Sequence, residues 1–192
     1  MSGLAIRLAL GAAVCLLCLS VRLQADDIVA VEVELSPKEQ AMLGWIDARR
    51  EQLVGELTEH VAINTGTDNL TGIDRYRALL AKDLQQLGFA TSMHAAGPLP
   101  VLSCAGGSVS VADNLVATHQ GSSPTRILLN GHMDTVFSAT DDFQTLSVAP
   151  DGTLHGPGVL DMKGGIVVML NALRALSAVG YLDEANITVL RN

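Results

Sequence analysis

The chain has 192 residues with 12 Lys or Arg against 20 Asp or Glu, so its net charge is −8 and its length suits one domain of ordinary size. The acidic balance and an aromatic content of only 3% argue against a nucleic-acid-binding protein, which needs a basic surface and rings that stack on bases. A hydrophobic content of 48% likewise excludes a disordered chain, which cannot bury enough apolar surface to fold.

The N-terminal residues 1–25 have the features of a secretory signal peptide. This segment has no acidic residue, carries Arg7 and Arg22, and holds an apolar run at 8–19. A basic start, a short apolar stretch and a small residue before a polar change are typical of such signals. The run is too short for a membrane span, which needs about 20 apolar residues. We therefore expect a periplasmic or secreted protein that consists of residues 26–192 and does not associate with membranes after cleavage.

Three segments have the apolar spacing and the end signals of α-helices. The first begins at the sequence SPKE, residues 36–39, a capping box in which Ser and Glu each bond to the other's backbone N–H. Its apolar positions continue at helical spacing to Val61. The second helix is predicted at 73–87 and the third at 164–179, and a glycine follows each of them as a stop signal.

Four segments predict β-strands, at 89–94, 114–119, 126–130 and 187–190. The segment 126–130 contains a continuous apolar run, as expected for a strand buried on both faces. Together with the helix at 164–179 and the strand at 187–190 it makes a βαβ unit, which implies a parallel pair with a right-handed crossover. The chain is therefore predicted to belong to the α/β class.

The first motif with a chemical signal is GHMDTV at 131–136, directly after the strand at 126–130. In α/β sheets, ligands bind beyond the carboxyl ends of the strands, so His132 and Asp134 lie where a ligand is expected. Alternation along an extended segment places both side chains on one side. The carboxylate can then accept the hydrogen of one ring nitrogen and leave the other nitrogen free to bind a metal. As a bare tripeptide, however, His-x-Asp occurs more often in a solvated loop.

The second motif is GPGVLDMKGG at 156–165, just before the predicted third helix. Its glycines let the backbone approach a ligand closely. Asp161 either caps the helix or bridges two metal ions with its two oxygens. The motif matches neither G-x-G-x-x-G nor G-x-x-x-x-G-K-[ST], so the interpretation as a nucleotide-binding loop fails. The chain also lacks the G-x-S-x-G of serine hydrolases.

Together the two motifs resemble the M20 family of metal-dependent peptidases, in particular its glutamate carboxypeptidase-like branch. The family pattern is a buried strand ending in G-H-x-D-T-V, followed further along by G-x-G-x-x-D-x-K-G-G, and here His132 and Asp161 are 29 residues apart. The resemblance implies that residues 26–192 form the N-terminal portion of a catalytic domain. The implied fold is α/β, a partial three-layer sandwich with a mostly parallel sheet.

The same resemblance implies a site with two zinc ions. His132 is expected to bind one zinc, Asp161 to bridge both, and Asp134 to orient the His132 ring without touching the metal. The peptide bond between Asp161 and Met162 is expected to be cis, as is typical of the family. In the implied reaction a glutamate is the general base for the attacking water. The substrate is a peptide or an N-acyl amino acid, cleaved beside a C-terminal residue such as glutamate.

Two alternatives stay open. An N-acyl-amino-acid deacylase or a dipeptidase of the same family fits as well, because the residues that select the substrate are expected mostly outside this chain. The family's general base, its remaining zinc ligands and its dimerisation domain follow the position of Asn192. A chain that ends there is expected to be an inactive truncated fragment, and a homodimer is expected only through that further domain.

Other polar residues receive a structural interpretation. His60 is expected on the surface of the first helix, and Lys163 is expected to anchor backbone or to lie at the surface rather than to act as a base. The resemblance assigns neither His119 nor His155 to the metal. The two acids at 183–184 are expected in the turn before the last strand, away from the site.

Overall fold

The computed structural model describes residues 34–100 and 108–192, and the signal peptide predicted at 1–25 lies outside them. The helices are α1 (Pro37–Asp47), α2 (Arg50–Val61), α3 (Leu70–Gln86) and α4 (Gly164–Ala178). The strands are β1 (Ala90–His94), β2 (Leu99–Pro100), β3 (Ser108–Val109), β4 (Asn114–His119), β5 (Arg126–Gly131), β6 (Ser147–Val148), β7 (Leu154–His155) and β8 (Asn186–Arg191). A wide π-type turn at Val159–Lys163 leads into α4, and a 3-10 turn at Leu182–Glu184 precedes β8. None of the described helices is long and apolar enough to cross a membrane.

Strands β1, β4, β8 and β5 form the main sheet in that order. β5 pairs with β8 in parallel across α4, so the predicted βαβ unit and the α/β class are confirmed. β4 pairs antiparallel with both β1 and β8, so the expectation of a mostly parallel sheet does not hold for the described strands. A parallel pair needs a crossover connection, usually a helix, and among the described residues only the link from β5 to β8 contains one.

Helices α3 and α4 pack against the same face of this sheet. Alternate residues of β4 and β8 join the apolar sides of both helices in one core, which includes Ile73, Tyr76, Leu80, Leu84, Leu115, Ala117, Ile166, Leu170, Leu173, Ile187 and Val189. α1 and α2 pack in turn on α4. The described residues therefore supply the sheet and one helical layer, in agreement with the predicted partial three-layer sandwich.

Strand β5 is an edge strand of this sheet, and the prediction that it is buried on both faces is wrong for the described residues. Ile127 is 46% exposed and Leu128 is 62% exposed. Alternation places these two side chains on opposite faces, so both faces are partly open. The apolar run indicates a preference for burial, but the neighbouring elements decide how much of the strand is covered.

The predicted first helix is two helices, because the chain breaks at Arg49. Its N–H bonds to the carbonyl of Ile46 at 3.0 Å instead of to Trp45, the partner that a continuous α-helix would use. The Trp45 carbonyl accepts Nη1 of Arg49 at 3.2 Å, and the guanidinium lies 3.9 Å from the Trp45 ring centroid. The capping box at 36–39 is present as predicted.

A group of polar residues, here called the three-helix cluster, joins α2, α3 and α4; its members are the buried His60 and Tyr76 and the half-buried Glu56, Asp83 and Arg174. His60 is 2% exposed and its Nδ1 lies 2.9 Å from the Tyr76 hydroxyl, so the expectation of a surface histidine is wrong. Burial between three helices lowers the pKa of His60 to about 4. Arg174 contacts Glu56 at 2.5 Å and Asp83 at 3.6 Å.

Candidate metal centre

The chain leaves β5 along an extended path that still pairs with β8. The Met133 N–H donates to the Asn192 carbonyl at 2.7 Å, and the Asn192 N–H donates to the Gly131 carbonyl at 3.3 Å. Met133 is only 1% exposed, so its neighbours His132 and Asp134 turn the opposite way, out of the core. This alternation brings both side chains to one side of the chain at the carboxyl end of β5.

Asp161 reaches the same place from the turn before α4. Gly158 begins that turn with a φ of 76°, in the left-handed region that favours glycine. The Asp161 side chain is 81% exposed, and its Oδ1 lies 2.9 Å from Nε2 of His132. The peptide bond between Asp161 and Met162 is cis, in agreement with the resemblance. His132 and Asp161 are 29 residues apart in the sequence, and the two motifs therefore meet at the His132 ring.

The His132 ring is held on its other side by Asp134. Nδ1 lies 3.1 Å from Oδ1 of Asp134 and 3.0 Å from the Asp134 carbonyl oxygen. Partial burial disfavours the charged ring, but the hydrogen bonds to Asp161 and Asp134 outweigh it and raise the pKa of His132. A hydrogen donated from Nδ1 to Asp134 fixes the tautomer that presents the Nε2 lone pair to a ligand.

Thr67 also belongs to this group, and the sequence did not predict it. Its hydroxyl donates to Oδ2 of Asp134 at 2.6 Å. Thr67 lies in the segment 64–69 between α2 and α3, which pairs with the chain after Asp134. The Thr135 N–H donates to the Thr65 carbonyl at 2.7 Å, and the Thr67 N–H donates to the Thr135 carbonyl at 3.0 Å. No local signal could have found this contact, because 67 residues separate Thr67 from Asp134.

Lys163 binds a backbone carbonyl, which is one of the two roles predicted for it. The side chain is 1% exposed, and Nζ donates to the Ile63 carbonyl at 2.6 Å. Nζ also lies 5.2 Å from the centroid of the Tyr76 ring. Burial lowers the pKa of Lys163 to about 8. The lysine thus ties the turn that carries Asp161 to the chain just before the segment 64–69.

The other candidate side chains lie elsewhere. His119 is at the far end of the sheet, where its Nδ1 lies 3.0 Å from the Ala185 carbonyl, just before β8 begins. His155 is in the short strand β7. The acids at 183–184 lie in the 3-10 turn before β8, as predicted. Because β5 and β8 are parallel, that end of β8 is opposite to the end where His132 lies.

The three-helix cluster contains a second set of possible metal ligands. Ligand atoms of Glu56, His60 and Asp83 lie within 4.8 Å of one another. Arg174 already contacts both carboxylates, and Asn171 donates to Glu56 at 2.7 Å. A metal ion would have to displace this guanidinium, so the cluster is better explained as a structural ion-pair network.

The group around His132 lines an open cleft, and its donor atoms suit a metal ion. Apart from Thr135, the other lining residues are apolar or glycine: Val136, Phe137, Gly156, Gly158, Val159 and Leu160. A histidine nitrogen and a carboxylate oxygen each bind zinc at about 2.0–2.2 Å, so two such atoms 2.9 Å apart can contact one ion. A catalytic zinc normally has three protein ligands and one open position. The pair His132 and Asp161 therefore fits as part of a metal shell.

Comparison with known sequences agrees with this geometry. The sequence model of the Peptidase family M20/M25/M40 matches residues 128–191, which contain both motifs and β8. Carboxypeptidase G2 from Pseudomonas sp. (strain RS-16) is 33% identical over 144 residues, which are 73% of this chain and 31% of that protein. Beta-Ala-His dipeptidase from Homo sapiens is 30% identical over 149 residues, 70% of this chain and 28% of that protein. The chain spans about a third of the length of these relatives.

Solved structures share the fold. Human carnosine dipeptidase 1 is similar with a TM-score of 0.64 and 26% identity, over 80% of this chain and 34% of that chain. The dipeptidase Dug1p from Saccharomyces cerevisiae gives a TM-score of 0.64 at 21% identity, again over 80% of this chain and 34% of that chain. The described residues therefore have the fold of the corresponding third of these peptidases.

Proposed function

We propose that the chain, whose residues 128–191 match the model of the peptidase family M20/M25/M40, supplies part of the catalytic domain of a metal-dependent exopeptidase of that family. The proposed reaction is hydrolysis of a peptide or N-acyl bond next to a C-terminal amino acid, as in a carboxypeptidase. The observation that carries this proposal is the 2.9 Å distance between Nε2 of His132 and Oδ1 of Asp161, which joins the two motifs in an open cleft.

The proposed metal site holds two zinc ions. His132 would bind one of them through Nε2, and the Asp161 carboxylate would be a ligand shared by both. A bound zinc ion lowers the pKa of a coordinated water and polarises the carbonyl that is attacked. Such a site needs more ligands than His132 and Asp161. We propose that the remaining ligands and the general base lie in a region that corresponds to the part of the relatives outside the matched residues.

Residues of this chain orient the proposed ligands and leave them accessible to substrate. Asp134 accepts the hydrogen on Nδ1 of His132, so that the lone pair of Nε2 is directed into the cleft. Asp161 is 81% exposed, so substrate and solvent reach its carboxylate freely. Val136 and Leu160 line the same cleft and are 88% and 92% exposed, so an arriving substrate meets apolar side chains beside the two ligands.

The substitution Asp161→Asn in the intact protein tests the proposal. A neutral amide cannot bridge two cations as a carboxylate does. We therefore expect zinc affinity, measured by competition with a chromogenic chelator, and hydrolysis of peptides with a free C-terminus to fall by more than about 100-fold, beyond the loss typical of outer-shell partners. Asp142→Asn is the matched control, because it removes an exposed carboxylate from the same connection between β5 and α4. Full hydrolysis by Asp161→Asn would contradict the assignment.

A dipeptidase is the second candidate, and two similarities favour it. The chain is 30% identical to Beta-Ala-His dipeptidase and resembles human carnosine dipeptidase 1 with a TM-score of 0.64. Comparing kcat/KM of the purified protein for dipeptides, N-acyl amino acids and longer peptides that end in glutamate separates the candidates. A preference for dipeptides supports this second function, and a preference for acylated or longer substrates supports the carboxypeptidase.

We also propose that the protein is exported and that residues 1–25 are removed, leaving it in the periplasm or the medium. The support is the basic and apolar pattern of the N-terminus. N-terminal sequencing of the protein from its native cells tests this, and the expected first residue is Asp26. A cytoplasmic protein that begins at Met1 would contradict the proposal.

A further inference from the structure

Thr67 and His132 hold the two oxygens of the Asp134 carboxylate. The Thr67 hydroxyl donates to Oδ2 at 2.6 Å, and Nδ1 of His132 lies 3.1 Å from Oδ1. We infer that Thr67 is a positioning residue of the metal site, which acts on His132 through Asp134. This inference rests on the proposed function, because it assigns Thr67 a role at the same site.

The Asp134 carboxylate needs such a partner, because its side chain is 35% exposed. Water competes for a carboxylate that is held by one hydrogen bond only, and the group can then rotate about its terminal torsion. A hydroxyl that donates to a charged oxygen at 2.6 Å makes a short, charge-assisted hydrogen bond. With Oδ2 bound to Thr67, the carboxylate keeps Oδ1 in reach of the His132 ring.

The Thr67 hydroxyl has a second acceptor within reach, the Thr135 carbonyl at 3.2 Å. A hydroxyl has only one hydrogen to donate. The charged Asp134 oxygen is 0.6 Å closer and is the stronger acceptor. The hydrogen is therefore directed to Asp134, and Thr135 competes for it only weakly.

The backbone around Thr67 is held firmly against the chain that follows Asp134. Thr67 pairs with Thr135 through its own N–H at 3.0 Å. The Asn64 side chain donates to the Phe137 carbonyl at 3.2 Å. At Gly66 the two segments approach so closely that a Cβ would lie 2.5 Å from the Phe137 carbonyl oxygen. The position of the hydroxyl is thus determined by the packing of two segments and not by its own side-chain torsion alone.

Two substitutions in the intact protein isolate the hydroxyl. Thr67→Val keeps the shape of the side chain and removes the donor, whereas Thr67→Ser keeps the donor. We expect Thr67→Val to weaken zinc binding about tenfold, at the lower end of the loss seen for outer-shell partners, and Thr67→Ser to restore the affinity to within about twofold of the wild type. Affinity is measured by chelator competition, and the visible spectrum of the Co²⁺-substituted protein reports any change in the ligand field. Thermal unfolding confirms that both variants fold.

Ser138→Ala is the matched control, because Ser138 Oγ donates to Oδ2 of Asp68 at 3.1 Å. It removes a hydroxyl–carboxylate bond between the same two segments, outside the His132 group, and we expect it to leave zinc affinity unchanged. An unchanged affinity in Thr67→Val, or an equal loss in Ser138→Ala, would overturn the inference. His132→Ala separates the two proposals. If it binds zinc like the wild type, the proposed function fails; if it loses zinc while Thr67→Val keeps it, only the role of Thr67 fails.

Discussion

Lys163 Nζ donates a hydrogen bond of 2.6 Å to the carbonyl oxygen of Ile63, which lies 100 residues earlier in the chain. Lys163 is two residues beyond Asp161, and Ile63 directly precedes the segment 64–69 that carries Thr67. The bond therefore joins the turn that carries Asp161 to the chain that leads into the segment carrying Thr67. Because the lysine is only 1% exposed, the amino group that makes this bond is shielded from water.

Lys163→Met is expected to flatten the alkaline pH dependence of stability. Burial lowers the pKa of Lys163 to about 8 from 10.5, so between these pH values the unfolded chain binds more protons than the folded one. The free energy of unfolding of the wild type should then rise with pH across that window, by at most about 3 kcal/mol. Urea denaturation with a chelator present measures it. Lys82→Met, which changes an exposed lysine of α3, should keep the rise, and an equal rise in Lys163→Met would contradict the prediction.

His60→Asn is expected to reduce the loss of stability in mild acid. Burial lowers the pKa of His60 to about 4 from 6.5, so the unfolded chain takes up a proton in this range that the folded chain excludes. As pH falls from 6.5 to 4, the wild type should lose up to about 3 kcal/mol of unfolding free energy through this group. Denaturation of the metal-free protein at several pH values shows the slope. The control His94→Asn, at an exposed position of β1, should retain the wild-type slope.

Arg174→Met is expected to lower the free energy of unfolding, because it removes the cation of the three-helix cluster. The guanidinium separates Glu56 and Asp83, which are 20% and 15% exposed, and its removal leaves two half-buried carboxylates without a cation. Removal of one partner from such a largely buried network lowers the free energy of unfolding by about 3 kcal/mol. The loss should be larger at pH 7 than at pH 5, because burial already raises the pKa of Asp83 and protonation relieves the repulsion.

The exposed pair formed by Arg50 and Asp47 provides the control for this prediction. Both side chains are well exposed, at 80% and 65%, so Arg50→Met should cost less than about 1 kcal/mol in the same urea denaturation experiment. Equal effects of the two arginine substitutions would show that burial does not strengthen the Arg174 interactions.

Gly66→Ala is expected to separate the segment 64–69 from the chain after Asp134. The added Cβ would lie 2.5 Å from the Phe137 carbonyl oxygen, and backbone must shift to accommodate it. We expect the free energy of unfolding to fall by about 1–3 kcal/mol, as at other overpacked sites. Zinc binding should also weaken, because Thr67 moves with the segment. Gly55→Ala is the control: its Cβ meets nothing within 4 Å in α2, and it should stabilise the helix by about 0.5–1 kcal/mol. Unfolding and zinc titration of both variants decide the outcome.

The sequence by itself determined the elements whose signals are local. The capping box at 36–39, the apolar runs at 126–130 and 187–190, and the glycines that end α3 and α4 each depend on a few neighbouring residues. The same holds for the βαβ unit, because one strand, one helix and the next strand follow in chain order. For this reason the α/β class, and the placement of His132 and Asp161 near the ends of these elements, could be predicted before any contact was known.

Only the tertiary structure decided which distant groups meet. The bonds from Thr67 to Asp134 and from Lys163 to Ile63 span 67 and 100 residues, and no residue pattern connects their ends. The burial of His60 and the antiparallel pairing of β4 with β8 are likewise set by neighbouring segments. A side chain's burial, its pKa and its partners depend on what packs around it. Those quantities arise only when the whole chain has folded.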